Sequence, residues 1–255
     1  MPEYLMAAGC ALAVVAIAAV LTRRARRAAD DGDPGGPTVG HSGAMISALF
    51  LIAFAIAIVV PWTTADAARL NTYAESQAIA EASWAAARIP DPDGQAVRNR
   101  LLDYAKFVKD TEWALMAEGR LSPEGWWRLE DIRRTVAGLD PRGQEAQDAR
   151  AEVLQRVGDI SAARRQRAMD AATTPPRGLL VITVLTGLAV TVLPLLGGAR
   201  PRGMALAPLA LMAAMLGAGV YLTMDISRVF TGALAVRPDA FVGVLSELQR
   251  ISWSG

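Results

Sequence analysis

Over residues 95–116 the apolar positions Val97, Leu101, Ala105 and Val108 recur at helical spacing, and one further step of four lands on Glu112. A second series, Ala149, Val153, Val157 and Ile160, steps in the same way onto Arg164. Each charge therefore falls on the side of its helix that is expected to be packed. A buried charge without a partner is too costly to keep, so Glu112 is expected to meet Arg164, or its neighbour Arg165, across a helix interface. The other chemistry open to Glu112 is that of a proton or ion site, as ionisable groups near membranes often provide. Its place outside the uncharged segments, with basic partners at hand, favours a structural ion pair.

The remaining reactive residue types offer less. The one histidine, His41, stands in a Gly- and Pro-rich connection over residues 30–43 and reads as a solvated loop residue, with no second histidine or a cysteine beside it to share a metal. The one cysteine, Cys10, lies inside an apolar run, so it reads as a packing residue and no intramolecular disulfide can form. Asp91 with Asp93, and Glu130 with Asp131, read as solvated helix ends and faces. There is no phosphate-binding glycine loop, no nucleophile with a base and no ligand cluster, so no catalytic, cofactor or metal site is expected and the chain does not read as an enzyme.

These residues sit on elements that divide sharply by polarity. Residues 4–22, 44–62, 179–198 and 203–224 carry no charge, and each is about 20 residues, or roughly 30 Å as helix, the thickness of a bilayer core. The chain is 53% apolar, yet residues 63–177 hold 18 acidic and 17 basic side chains. Charges that nearly cancel give this segment no electrostatic reason to bind nucleic acid. The expected fold is an all-α integral membrane protein with four transmembrane helices in a 2+2 arrangement and an α-helical extramembrane domain between the second and third. The boundaries are 1–62, 63–177, 178–224 and 225–255, the last a turn followed by an amphipathic helix.

No basic residue precedes the first apolar run and Arg23, Arg24, Arg26 and Arg27 follow it, so it reads as a retained anchor rather than a cleaved signal. Those arginines, with Arg200 and Arg202, point inward and would leave the 63–177 domain outside; Arg164, Arg165, Arg167 and Arg177 argue the opposite. In the second run Phe50, Phe54 and Ile58 stack on one face, the arrangement of an apolar constriction that gates by dewetting, although lipid contact or bundle packing is the more ordinary use of such residues. Small residues, Ala7, Ala11 and Ala18 in the first run and Ala207, Ala210, Ala214 and Gly217 in the fourth, mark faces for close helix packing. Trp62 reads as a headgroup anchor, and Trp113, Trp126 and Trp127 as helix packing at least as readily.

Proline and glycine divide residues 63–177 into about four helices, with Ser122 as an N-cap before Pro123 and with Gly125 weakening that first turn slightly. After the fourth run come Asp225, a turn at Phe230-Thr231-Gly232, and a helix from Pro238-Asp239 whose face of Phe241, Val244, Leu245, Leu248 and Ile251 is expected to dock on the polar domain or to lie on the membrane surface, docking being the simpler choice.

Tyr104, Glu112-Trp113, Gly119, the cluster Arg164, Arg165 and Arg167, Phe230-Thr231-Gly232, Val236, Pro238 and Phe241 occur in an order that resembles the bestrophin-like membrane proteins of bacteria and plants, a domain of unknown function, over residues 66–252. One departure is the stretch after Asp225, where Ile226, Ser227, Arg228 and Val229 precede Phe230 in place of the family's Asp-x-Pro-Phe. The resemblance implies a multi-pass protein of the bacterial cell (inner) membrane and similarity to pentameric anion channels with a helical region on the cytosolic side. It further implies a homo-oligomer in the lipid bilayer, inorganic anions as the permeating species, and Phe50, Phe54 and Ile58 at the place of an apolar neck. The competing class is a non-conducting membrane scaffold or sensor whose helical domain binds a partner, which the lack of any charged ring in the four runs favours.

Overall fold

The structure is a computed structural model and describes residues 20, 37–173, 177–196, 206–226, 228–232 and 234–253. Every regular element among them is helical: α1 (Pro37–Ala86), α2 (Asp93–Phe107), a π-helical turn (Val108–Glu112), α3 (Trp113–Met116), α4 (Pro123–Ala137), α5 (Gln144–Ala172), α6 (Arg177–Leu196), α7 (Leu206–Ile226) and α8 (Asp239–Trp253). The chain forms two compact units, Met1–Thr63 with Pro175–Ser227, and Thr64–Thr174 with Arg228–Gly255.

The second apolar run lies within α1, which begins earlier than its composition suggests and continues unbroken past Trp62. His41 is therefore helical rather than in a loop, because the helix starts at Pro37, whose fixed φ suits a first turn. Helix α1 also runs through Pro61, which gives up one backbone bond but, in an apolar stretch, need not end a helix. The third and fourth runs correspond to α6 and α7. By length and composition, the described stretch able to cross a membrane is Ser47–Ala86, while α6 and α7 contain the shorter apolar stretches Val181–Val190 and Ala214–Ile226. The first run apart from Val20, with Cys10, Ala7, Ala11 and Ala18, lies outside the described residues, as do the arginines at 23–27 and 200–202 that bear on sidedness.

In the polar unit the turns fall where proline and glycine mark them. Ser122 caps α4, its side-chain oxygen accepting from Glu124 N at 3.2 Å, with Pro123 in the first turn. Helix α4 packs on α5 and on α2, and α2 packs on α8. The two stripes read from the sequence, Val97, Leu101, Ala105 and Val108, and Ala149, Val153, Val157 and Ile160, are buried throughout. They form one core with Ile79, Leu129, Ile132 and the α8 face of Phe241, Val244, Leu245 and Leu248. Ile251 and Trp253 have side chains outside the described set. Glu81 of α1 pairs with Arg156 at 2.7 Å, and Arg88, just past the end of α1, with Glu152, so α1 and α5 run antiparallel.

Candidate functional site: a buried arginine–glutamate network

The polar half of α1 places Ala68, Thr72, Glu75, Ile79, Ala82 and Ala86 on one buried side, so Glu75 is carried inside by its helix. Helix α2 contributes Tyr104, the π-turn Glu112, α3 Met116, and α5 both Arg164 and Arg167, which share a face because they are three residues apart. At the π-turn Trp113 N–H bonds back to Val108 O, five residues earlier, widening the helix where Glu112 enters the core.

Arg164 grips Glu112 with both ends of its fork, Nη1 to Oε2 and Nη2 to Oε1, each at 2.5 Å. Arg167 grips Glu75 likewise, Nε to Oε2 at 2.7 Å and Nη2 to Oε1 at 3.0 Å, and its Nη2 also donates to Glu112 Oε2 at 3.0 Å. One guanidinium thus joins the two carboxylates. Tyr104 donates its hydroxyl to Glu75 Oε1 at 2.6 Å, Ser122 N donates to Glu112 Oε1 at 3.0 Å, and Arg164 Nη2 donates to Ser122 O at 2.8 Å. Arg167 Nη1 lies 3.0 Å from Met116 Sδ. All four charged side chains are fully buried, and their formal charges cancel.

Apolar rings close the site. Arg164 lies over Trp126 at 5.1 Å and Arg167 over Phe241 at 5.6 Å. Trp113 meets Phe230 edge-on at 5.7 Å and Phe241 at 5.9 Å. Burial pushes the Tyr104 phenol well above its ordinary pKa, and the charge of Glu75 adds to the effect. For Arg164 and Arg167 burial works against the charge, yet the hydrogen bonds and the charges of Glu112 and Glu75 hold both guanidiniums more basic than usual. All four carboxylate oxygens accept at least one bond from within the network, and three of them accept two. The arrangement can bind helices to one another and hold a neutral cluster dry.

Gly125 makes that possible. A methyl group there would lie 2.2 Å from Arg164 Nη2, so only a bare backbone lets the guanidinium reach Glu112. The sequence reading, in which Gly125 slightly weakens its turn, did not include this close approach. Of the two arginines named for Glu112, the structure brings in Arg164 and leaves Arg165 exposed. Trp127 is 73% exposed and does not pack, whereas Trp113 and Trp126 do.

In the turn before α8, Val236 N bonds Val229 O at 2.8 Å, Gly232 adopts φ 97° and Phe230 is buried against Trp113. That φ favours glycine. Asp225 lies in the last turn of α7, in the other unit, and is half-buried. Phe50, Phe54 and Ile58 are half-buried in that unit, the two rings stacked at 5.5 Å. Phe54 rests on Gly219 of α7, where a methyl group would fall 2.2 Å from the ring, and Phe50 lies beside Gly187 of α6. The structure thus sets these rings against helices of their own chain.

A family model described as the bestrophin-like domain matches residues 8–241. The chain belongs to the bestrophin-like family. No curated protein and no solved structure matches it. The match starts well before Asp66, where the sequence resemblance begins, and so takes in apolar segments that the resemblance left aside. Family membership and the apolar part of α1 together indicate association with a membrane. In this bestrophin-like chain, several residues that carry the resemblance, Tyr104, Glu112, Trp113, Arg164, Arg167 and Phe241, converge on the buried network.

Sequence reasoning missed Glu75, Met116 and the requirement at Gly125. Glu75 had a signal: it interrupts the buried series Ala68, Thr72, Ile79 and Ala82 as Glu112 interrupts its own. Met116 continues the series Val108, Glu112 by four, but nothing in a thioether marks it as an arginine contact.

Proposed function

We propose that this bestrophin-like protein is a multi-pass protein of the bacterial cell membrane with four spans, and that copies assemble into an oligomer that conducts inorganic anions past apolar side chains of α1. The observation that carries this reading is the family match over residues 8–241, joined to an α1 stretch whose apolar side chains are turned outward. In this reading the Arg–Glu network is a fastening rather than a reaction centre, and the protein is not an enzyme; the engagement of all four carboxylate oxygens by groups of the chain itself supports that. The constriction at Phe50, Phe54 and Ile58 belongs to the same proposal. The test is chloride efflux from vesicles holding the purified protein, with the mass of the detergent-extracted particle measured alongside. Efflux from a multi-subunit particle is expected; no efflux from a monomer or dimer overturns the reading.

The non-conducting scaffold or sensor has one specific observation in its favour. Phe54 fills the notch above Gly219 and Phe50 shares that above Gly187 with Leu216, which is what packing residues do and leaves their rings less free to line a path. Under that reading Phe54→Ala lowers stability and leaves efflux absent; under the channel reading the same substitution changes the efflux rate.

A further inference from the structure

Helix α1 keeps one covered side through both the apolar and the polar halves of its length. From Phe54, alternating steps of three and four reach Ala57, Pro61, Thr64, Ala68 and Asn71, every one buried or half-buried, and the next step lands on Glu75. Val59, Trp62 and Leu70, between those steps, are more than half exposed. A straight helix drifts about 20° per seven residues from such a repeat, so Phe54 and Glu75, three repeats apart, stay within about 60° of each other, inside the width of one face. In the turn where Pro61 lacks its own N–H, the Thr63 hydroxyl adds a bond to Val60 O at 2.9 Å.

The geometry points to α1 as a rod through which the buried network sets the seating of Phe54 on Gly219. Each contact is made inside its own unit, and what joins them is the backbone of α1 alone. Arg167 holds Glu75 by bonds of 2.7 and 3.0 Å, and a fork of that kind fixes direction as well as distance. Side-chain ends ride about 5–6 Å from a helix axis, so a turn of about 20° would carry the Glu75 carboxylate about 2 Å and break both bonds. At the other contact the Phe54 ring occupies a notch that a methyl group on Gly219 would fill, so the same turn unseats it. While the fork holds, α1 is fixed in rotation; once the fork is lost, Phe54 is released with it. The inference goes beyond the channel reading and is independent of it, since it holds whether Phe54 lines a path or only packs.

The experiment is fluorescence of the full chain carrying Cys10→Ala, which removes its only cysteine, and Ala53→Cys labelled with an environment-sensitive dye. Ala53 is half-buried beside Phe54. Three substitutions in the polar unit are compared: Glu75→Gln, which weakens the fork, Tyr104→Phe, which removes one bond to Glu75, and Glu81→Gln, which weakens a partly exposed pair with Arg156. A shift in dye emission is expected for Glu75→Gln, a smaller one in the same direction for Tyr104→Phe, and none for Glu81→Gln. With Ala65→Gly and Ala67→Gly added, the shift is expected to vanish, because two glycines soften the rod between the contacts. An unmoved dye in both network variants, an equal shift in Glu81→Gln, or a shift that survives the glycines overturns the proposal. Circular dichroism checks that each variant keeps its helices; if Glu75→Gln does not, Tyr104→Phe, which removes no charge, decides.

Discussion

In the polar unit, bulk is cleared away so that charges can meet: Gly125 is bare because Arg164 must reach Glu112. In the apolar unit, bulk is cleared so that a ring can rest: Gly219 is bare beneath Phe54. Both use glycine for close approach, but the first contact is specified by charge and direction and the second by shape alone. Loss of a partner leaves an unsatisfied charge in one and a void in the other, and those failures differ in size.

The largest expected effect follows from removing the shared anion. Glu112→Ala leaves Arg164 and part of Arg167 buried without a counter-charge, and a loss of about 3–5 kcal/mol is expected in chemical unfolding of the polar unit. A loss under about 1 kcal/mol would mean that water reaches the site and that the contrast between the units is false. Tyr104→Phe removes one hydrogen bond to a charged acceptor, for an expected loss of about 1.5–3 kcal/mol.

The same tyrosine gives a pH signature. Its folded pKa lies above the unfolded value near 10, so its contribution is fully present below about pH 10 and is lost as pH rises through the folded pKa. Unfolding midpoints of the parent are therefore expected to fall on the alkaline side of pH 10, and those of Tyr104→Phe to fall less. Equal slopes would refute the buried, neutral phenol.

In the apolar unit Gly219→Ala forces the Phe54 ring aside, and overpacking of this kind costs about 1–3 kcal/mol. Adding Phe54→Leu is expected to restore part of the loss, since the smaller side chain vacates the notch; no recovery would show that the notch is not set by that ring. Smallest of all is Arg88→Ala, which breaks an exposed pair with Glu152 and is expected to shift stability by less than about 1 kcal/mol in thermal melts.

What could be read from the sequence follows the same division. Glu112 and Arg164 announced themselves because a charge in an apolar series is an anomaly, and the helix ends near residues 90, 118, 139 and 174 were marked by proline and glycine. Glu75 escaped because the series around it is mostly alanine and threonine, whose buried sides look much like exposed ones, and Ile79 is its one large apolar member. Gly125 and Gly219 escaped because the need for a bare backbone arises from a residue distant in sequence. The continuity of α1 past Trp62 was hidden by the change in its composition there, although a helix keeps its backbone bonds whichever solvent surrounds it.

Paired charges, rather than the apolar contacts around them, fasten the helices at this site. A double-mutant cycle of Glu112→Leu and Arg164→Met, read by urea unfolding, tests it most directly. Each single substitution is expected to cost about 3–5 kcal/mol and the double variant to recover most of that, a coupling of at least about 2 kcal/mol. Losses that simply add would contradict the claim.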